Sequence, residues 1–176
     1  MEINEFNDFY HIDIASQINN KWEQDTALGI VKNSRKFSII IKGRDKEILK
    51  KRFISKEDSD SAKKHNQKVI AIIYSYLLYK ALCDFAEAKP LLLCRDVRPE
   101  RFVVHYLQKM SRFFARPEIF NRRIEFRKRE DKNQDKLPKS LAGKYVRKVY
   151  QGKIKATKTT DNQDLEELTE VINKII

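Results

Sequence analysis

The stretch Phe9-Tyr-His-Ile-Asp-Ile14 alternates between two kinds of side chain with the two-residue period of a β-strand. Tyr10, Ile12 and Ile14 fall on one face of this strand, and Asp13 falls on the other. The pattern therefore predicts a strand that covers a core with one face and carries an aspartate near its middle.

Three further elements follow the first strand. The β-branched runs at residues 26–31 and 37–41 are separated by a short polar stretch of turn-forming composition, and they predict a hairpin. A wide apolar arc over residues 62–88 predicts a long helix, which any residue of the Ser/Asp cluster at 58–61 can cap. Such a helix must pack on a sheet.

Strand and helix alternate in the second half of the chain. The uninterrupted apolar run at residues 91–94 is typical of a strand that is buried on both faces in a parallel sheet. Apolar spacing predicts a helix over residues 97–110, and alternation predicts a half-exposed strand over 122–128. A further helical period runs from residue 141 to 149, and Gly152 marks its end.

This order of elements predicts the fold class. It is the order of the RNase H-like α/β fold, a mixed sheet with flanking helices in which the first and fourth strands are parallel neighbours. A chain of 176 residues suits one domain, which we expect over residues 1–155. A linker and a C-terminal amphipathic helix are expected over residues 156–176, where Thr160 and Gln163 have the spacing of a capping box.

Positive charge is concentrated in one third of the chain. Residues 95–155 hold 19 of the 37 Lys and Arg but 7 of the 25 Asp and Glu, so this segment carries the whole net charge of +12. The concentration predicts a face that binds a polyanion, with RNA or DNA as the partner. Arginine clusters between aromatic residues favour phosphate binding over a role in solubility alone. The expected contact residues are Arg112, Arg116, Arg122, Arg123, Arg127, Lys128, Arg129, Lys139, Lys144, Arg147 and Lys148.

Other function classes are disfavoured by the composition. The acidic N-terminal stretch does not resemble a secretory signal, and the apolar run at residues 69–79 is shorter than the ~20 residues that a bilayer requires, so we expect a cytoplasmic protein without a membrane partner. Cys83 and Cys94 lie in apolar runs and predict buried thiols. The three histidines lack zinc-ligand spacing, and the sequence contains no phosphate loop and no GxSxG motif.

Asp13 and Asp96 are the candidate catalytic pair. Asp96 follows the buried run at residues 91–94, so the RNase H-like order brings both carboxylates to one rim of the sheet. Two neighbouring carboxylates repel each other unless a divalent cation neutralises them. The pair therefore predicts a Mg²⁺ or Mn²⁺ site that activates water against a phosphodiester. In the alternative interpretation, Asp13 is a surface aspartate and Asp96 begins the next helix.

Two parts of the chain resemble a known family. Residues 10–16, Tyr-His-Ile-Asp-Ile-Ala-Ser, and the strand at 27–31 resemble the opening of an uncharacterised prokaryotic RNase H-like family, whose first strand ends in Asp-Glu-Ser-Gly. Residues 137–143, Leu-Pro-Lys-Ser-Leu-Ala-Gly, and the helix at 145–150 resemble its closing helix, which reads approximately Leu-Gln-Leu-Ala-Asp-Leu-Val-Ala-Gly. The resemblance spans about residues 9–152 and implies an RNase H-like fold with a metal-dependent nuclease site.

The chain departs from that family at two acidic positions. Lys139 stands where the closing helix of the family has a metal-binding aspartate, and Ile14 stands where the first motif has Glu. A lysine in a cation site repels the metal and replaces part of its charge. Two alternatives follow. In the first, Asp131 or Asp135 completes the site; in the second, the protein is no longer catalytic.

Three functions are compatible with these features. The first is a divergent Mg²⁺-dependent nuclease with Asp13, Asp96 and Asp135 or Asp131 at its metal site. The second is a catalytically inactive nucleic-acid-binding subunit of a ribonucleoprotein or a mobile-element complex. The third is an adaptor whose C-terminal helix, residues 164–176, docks on a protein partner.

Overall fold

The computed structural model describes residues 7–85, 87–94, 97–127 and 141–176. Six strands and five α-helices lie in these ranges, and a short 3-10 turn at Pro117–Ile119 joins the third helix to the fifth strand. The elements are β1 (Tyr10–Ala15), β2 (Thr26–Lys32), β3 (Arg35–Ile41), α1 (Gly43–Phe53), α2 (Asp60–Leu82), β4 (Leu91–Leu93), α3 (Glu100–Phe113), β5 (Ile124–Phe126), α4 (Leu141–Tyr150), β6 (Lys158–Thr159) and α5 (Asn162–Ile175).

The six strands form one mixed sheet in the order β5-β4-β1-β2-β3-β6. β1 is antiparallel to β2, with Asp13 opposite Gly29, and it is parallel to β4, with Ile12 opposite Leu93. β5 continues the sheet parallel to β4, and β6 lies parallel to β3 at the other edge. The predicted α/β mixed sheet is confirmed, and so is the parallel pairing of the first and fourth strands.

The main core lies on one face of the sheet. The alternation of β1 directs Tyr10, Ile12 and Ile14 into this core, where they join buried side chains of α2, α3 and α5. The middle of α2 is buried around its circumference, because the sheet covers one side and the neighbouring helices cover the other. Ser59 caps α2, since its hydroxyl accepts a hydrogen bond from the backbone N–H of Ala62 at 3.1 Å.

α4 covers the opposite face of the sheet. Its buried residues Ala142, Tyr145, Val146 and Val149 form a second apolar cluster with Ala27 and Val31 of β2. Ala15 of β1 packs against this cluster. Because side chains two residues apart in a strand share a face, Asp13 is on the α4 side of the sheet.

Two described elements have no counterpart in the sequence-based expectations. α1 follows β3 directly, and its N-terminus is held by Asp25, whose carboxylate accepts a 2.9 Å hydrogen bond from the Gly43 backbone and pairs with Lys42. Burial alone would raise the pKa of Asp25, but these hydrogen bonds lower it below its usual value. The second unexpected element is β6, which lies within the predicted linker.

The C-terminal helix is integrated into the same core. Its capping box uses Asp161 and Asp164 rather than the expected Thr160 and Gln163, so the helix begins at Asn162. Leu168, Val171, Ile172 and Ile175 are buried against α2 and α3, and this face of α5 is therefore covered by the protein's own helices.

Lys46 of α1 is a buried cation in this core. Its Nζ donates to Thr26 Oγ1 at 2.8 Å and to the carbonyl oxygens of Lys21 and Ile18 at 3.1 and 3.5 Å. Burial lowers the pKa of Lys46 to about 8, although the nearby Asp25 carboxylate acts in the opposite direction. The folded protein therefore releases this proton at a lower pH than the unfolded chain does.

This difference predicts a pH-dependent contribution to stability. Between pH 8 and pH 10.5 the unfolded chain keeps the Lys46 proton and the folded protein loses it, so the contribution of Lys46 becomes more favourable as the pH rises. In urea denaturation, the free energy of unfolding of wild type should gain up to about 3 kcal/mol relative to Lys46→Met between pH 7.5 and 10. Lys50→Met, at an exposed position of α1, is the control. Its free energy of unfolding should differ from that of wild type by the same amount at both pH values. The same result for Lys46→Met would contradict the account.

Candidate nucleic-acid interface

α4 lies close to the sheet at Gly29 of β2. A Cβ atom placed on Gly29 would lie 3.0 Å from the Cβ of Val146 and 3.2 Å from the ring of Tyr145. A larger residue would therefore push the helix away from the sheet. Gly29 is also the residue directly opposite Asp13 in the β1–β2 pair, so the close contact of α4 lies beside Asp13.

Polar contacts fix α4 at its middle and at its C-terminal end. The Tyr145 hydroxyl donates to Ser38 Oγ at 3.0 Å, and this same oxygen accepts from the Thr157 backbone N–H at 3.1 Å. Near the end of the helix, the Tyr150 hydroxyl donates to Gln24 Oε1 at 3.0 Å. The helix and the segment that follows it are thus attached to β3 and to the loop before β2.

The outer face of α4 is basic. Lys144, Arg147 and Lys148 are exposed because Tyr145, Val146 and Val149 occupy the face toward the sheet. Two more exposed lysines follow the helix. We call these five cations the basic strip: Lys144, Arg147, Lys148, Lys153 and Lys155.

The basic strip is not neutralised by neighbouring acids. Residues 141–160 contain six Lys and Arg and not one Asp or Glu. Within the described ranges, no cation of the strip forms an ion pair, whereas Lys158 pairs with Asp164 at 3.2 Å. Unpaired cations on one face of a rigid helix are the arrangement that attracts and positions a phosphate backbone.

Asp13 lies on the same side of the sheet as the basic strip. It is partly exposed, and its Oδ1 accepts a 2.9 Å hydrogen bond from the Ile14 backbone N–H. On the β4 side, the ladder continues beyond Leu93, since the Cys94 backbone N–H donates to the Ile12 carbonyl at 3.1 Å. Asp13 therefore lies beside the end of β4. In the sequence, Asp96 comes two residues after Cys94.

The other expected members of the metal site lie outside the described residues. These are Asp96, Asp131 and Asp135, together with Lys139. Among the residues that the structure describes, no group of three or more His, Cys, Asp or Glu side chains is arranged to hold a metal ion. Asp13 is thus the one predicted ligand that lies within the described ranges, and a single carboxylate does not constitute a metal site.

Arg122 is directed into the protein rather than toward solvent. Its guanidinium donates to the carbonyl oxygens of Phe85 at 3.3 Å and Glu118 at 3.4 Å. Burial lowers the pKa of Arg122, and the charge of the guanidinium lies close enough to the Tyr10 hydroxyl to interact with it. This arginine, one of the expected phosphate ligands, is occupied by contacts within the protein.

The other expected cations within the described residues lie outside α4. Arg112 and Arg116 lie at the end of α3, in the helix layer opposite α4, and Arg116 pairs with Glu118. Arg123 pairs with Glu125 at 2.8 Å. Arg127 directly follows β5, whereas Lys128 and Arg129 lie outside the described residues. The described residues therefore do not form one continuous arginine-rich surface.

Two cations of the basic strip, Lys153 and Lys155, were not among the expected contact residues. A signal for them was present in the sequence, because the acid-free run from residue 141 to 160 extends past the helix and includes both lysines. Clusters of adjacent arginines were a less reliable signal, since adjacent residues point in different directions on a helix or a strand.

Comparisons of the chain with protein-family models, with curated proteins and with solved structures gave no match. No helix in the described parts of the chain is long and apolar enough to cross a membrane. The geometry of the residues themselves is therefore the basis for a functional assignment.

The close contact at Gly29 predicts a coupled effect on stability. Gly29→Val should lower the free energy of unfolding by about 1–3 kcal/mol, because its side chain would overlap Val146. Val146→Ala keeps the Val146 Cβ but removes Cγ2, which lies 3.3 Å from the added Cβ position, and so relieves part of the overlap. The double variant should therefore be less destabilised than the sum of the two single variants in chemical denaturation. Strictly additive effects, or an unchanged stability of Gly29→Val, would contradict this packing.

Proposed function

We propose that the protein binds nucleic acid with the α4 side of an RNase H-like sheet. The observation that supports this proposal best is the basic strip, five exposed cations without ion pairs in the described ranges. The strip follows a helix of 10 residues, which is about 15 Å long, and a segment directly after it. This length matches several consecutive phosphates of one strand.

The RNase H-like assignment is supported by the strand order. A central β1 lies between an antiparallel β2–β3 hairpin and the parallel pair β4 and β5, as expected from the order of elements in the sequence. The helix that follows β5 in the described chain crosses the sheet on the side of Asp13. In the resemblance described above, this is the closing helix of the family.

A second candidate function is Mg²⁺-dependent hydrolysis of the bound strand. It is favoured by the position of Asp13, which lies on the same face as the basic strip and beside the end of β4. In this proposal Asp13 and Asp96, with Asp131 or Asp135, hold the cation. A bound Mg²⁺ would supply charge stabilisation and an activated water, whereas the basic strip would hold the strand.

Removal of charge from α4 tests the binding proposal. The triple variant Lys144→Gln, Arg147→Gln, Lys148→Gln should weaken binding of a fluorescein-labelled oligonucleotide at least tenfold at low salt, as measured by fluorescence anisotropy. The slope of log Kobs against log salt concentration should fall by roughly 2 to 3, because about 0.7–0.9 is lost for each phosphate contact. The same measurement on single- and double-stranded RNA and DNA identifies the preferred partner.

A matched control is available on α1. Lys50→Gln, Lys51→Gln, Arg52→Gln removes the same number of Lys and Arg charges from exposed positions, and so changes the net charge equally. If both triple variants weaken binding to the same extent, the attraction depends on net charge and the proposed face is incorrect. Unchanged binding by the α4 variant would also refute the proposal.

Asp13→Asn separates hydrolysis from binding. The amide keeps the shape of the side chain and an oxygen that can accept from the Ile14 N–H, but it removes the negative charge. In Mg²⁺, we expect cleavage of the preferred oligonucleotide to fall at least about 100-fold, because the metal ion's charge stabilisation would be lost, while the dissociation constant stays within about twofold. Asp96→Asn should behave in the same way.

The inactive-subunit alternative makes a different prediction. A protein that only binds nucleic acid would show salt-dependent binding without Mg²⁺-dependent cleavage, and Asp13→Asn would change neither property. If wild type cleaves the oligonucleotide and both aspartate variants cleave it equally well, Asp13 and Asp96 are not required for the reaction.

A further inference from the structure

A second basic feature lies in the helix layer on the other side of the sheet. An open cavity of about 390 Å³ is lined by side chains of α2 and α3 and by Ile176, which follows α5. This volume falls within the range of about 300–1,000 Å³ that is usual for small-molecule sites. The lining residues are Lys68, Arg101, Phe102, His105, Tyr106, Lys109 and Ile176.

The side chains that line this cavity have charges of one sign. Lys68 comes from α2, whereas Arg101 and Lys109 come from α3, and His105 lies between the latter two on the same helix. No acidic side chain among the described residues lines the cavity. Burial, followed by repulsion from Lys109 and Lys68, lowers the pKa of His105, as expected where several cations face one space.

Two of the three cations, Lys109 and Arg101, contact neighbouring groups of the protein. Lys109 Nζ donates to the carbonyl oxygen of Ile175 at 2.9 Å and lies 5.7 Å from the centre of the Tyr106 ring. The Arg101 guanidinium lies 5.6 Å from the centre of the Phe102 ring. Neither contact neutralises the charge, because a carbonyl oxygen and an aromatic ring are uncharged partners.

We propose that this cavity binds a phosphorylated small molecule of mononucleotide size. Lys68, Lys109 and Arg101 supply the positive charge for the phosphate, since three cations without a facing acid match a dianion. The partly exposed Phe102 ring supplies an aromatic wall for a flat ring system, and the buried Tyr106 side chain packs beside it. This site is independent of the nucleic-acid interface, because α2 and α3 cover the face of the sheet that α4 leaves uncovered.

Titration calorimetry with AMP, adenosine and inorganic phosphate tests the proposal on the full chain without Mg²⁺. AMP should bind, and both adenosine and inorganic phosphate should bind at least tenfold more weakly, because each lacks one half of the recognised group. Equal binding of inorganic phosphate and AMP would contradict the role of the aromatic wall. Binding of adenosine as tightly as AMP would contradict the role of the cations.

The double variant Lys68→Gln, Lys109→Gln should weaken AMP binding at least tenfold. Lys63→Gln, Lys64→Gln is the matched control, at exposed positions of α2 that do not line the cavity, and should leave AMP binding unchanged. Equal losses in the two double variants, or an absence of AMP binding by wild type, would overturn the proposal.

The imidazole of His105 gives a readout that does not depend on affinity alone. A phosphate next to Lys68 and Lys109 would offset their repulsion, so saturation with AMP should raise the pKa of His105 in an NMR titration. The ring signals of His65, whose Nε2 lies 2.9 Å from the Phe53 carbonyl and outside the cavity, should not move when AMP is added. A His105 pKa that does not respond to bound AMP would place the nucleotide elsewhere.

Discussion

The hydrogen bonding of β1 on both of its edges is the constraint on which the rest of the structure depends. With β2 antiparallel on one side and β4 parallel on the other, the strand cannot shift by one residue without exchanging its two faces. Tyr10, Ile12 and Ile14 therefore remain in the main core, and Asp13 remains on the face that α4 covers. The close contact at Gly29 then brings the basic helix directly to this face.

Two basic surfaces result from this arrangement, in which helices cover both faces of the sheet. The basic strip on α4 has an elongated form that suits a strand of phosphates, whereas the cavity lined by α2 and α3 is a compact surface depression that suits a small anion. The positive charge of the described residues in 97–127 and 141–155 is thus not gathered on one side of the sheet. A single charge count along the sequence does not distinguish these two surfaces, because the fold separates neighbouring segments.

The sequence was most informative where structure depends on local patterns. Apolar periodicity and caps are local signals, so they predict four elements within a few residues: β1, the β2–β3 hairpin, the start of α2 and the buried β4. The end of α2 is an exception, since the helix ends at Leu82 rather than near residue 88. α1 was missed because its N-terminus is held by Asp25, which is remote along the chain, and β6 was missed because two residues at a sheet edge carry no pattern. Among the site residues, Lys144, Arg147 and Lys148 are exposed as predicted, but Arg122 is engaged inside the protein through a tertiary contact.

The most direct test of the account is an NMR titration of the ¹⁵N-labelled protein with the oligonucleotide it binds best. The account predicts that the amide shift changes concentrate on α4, on residues 151–155 and around Asp13, with little change in α2 and α3. Changes concentrated on α2 and α3, with α4 unaffected, would contradict it.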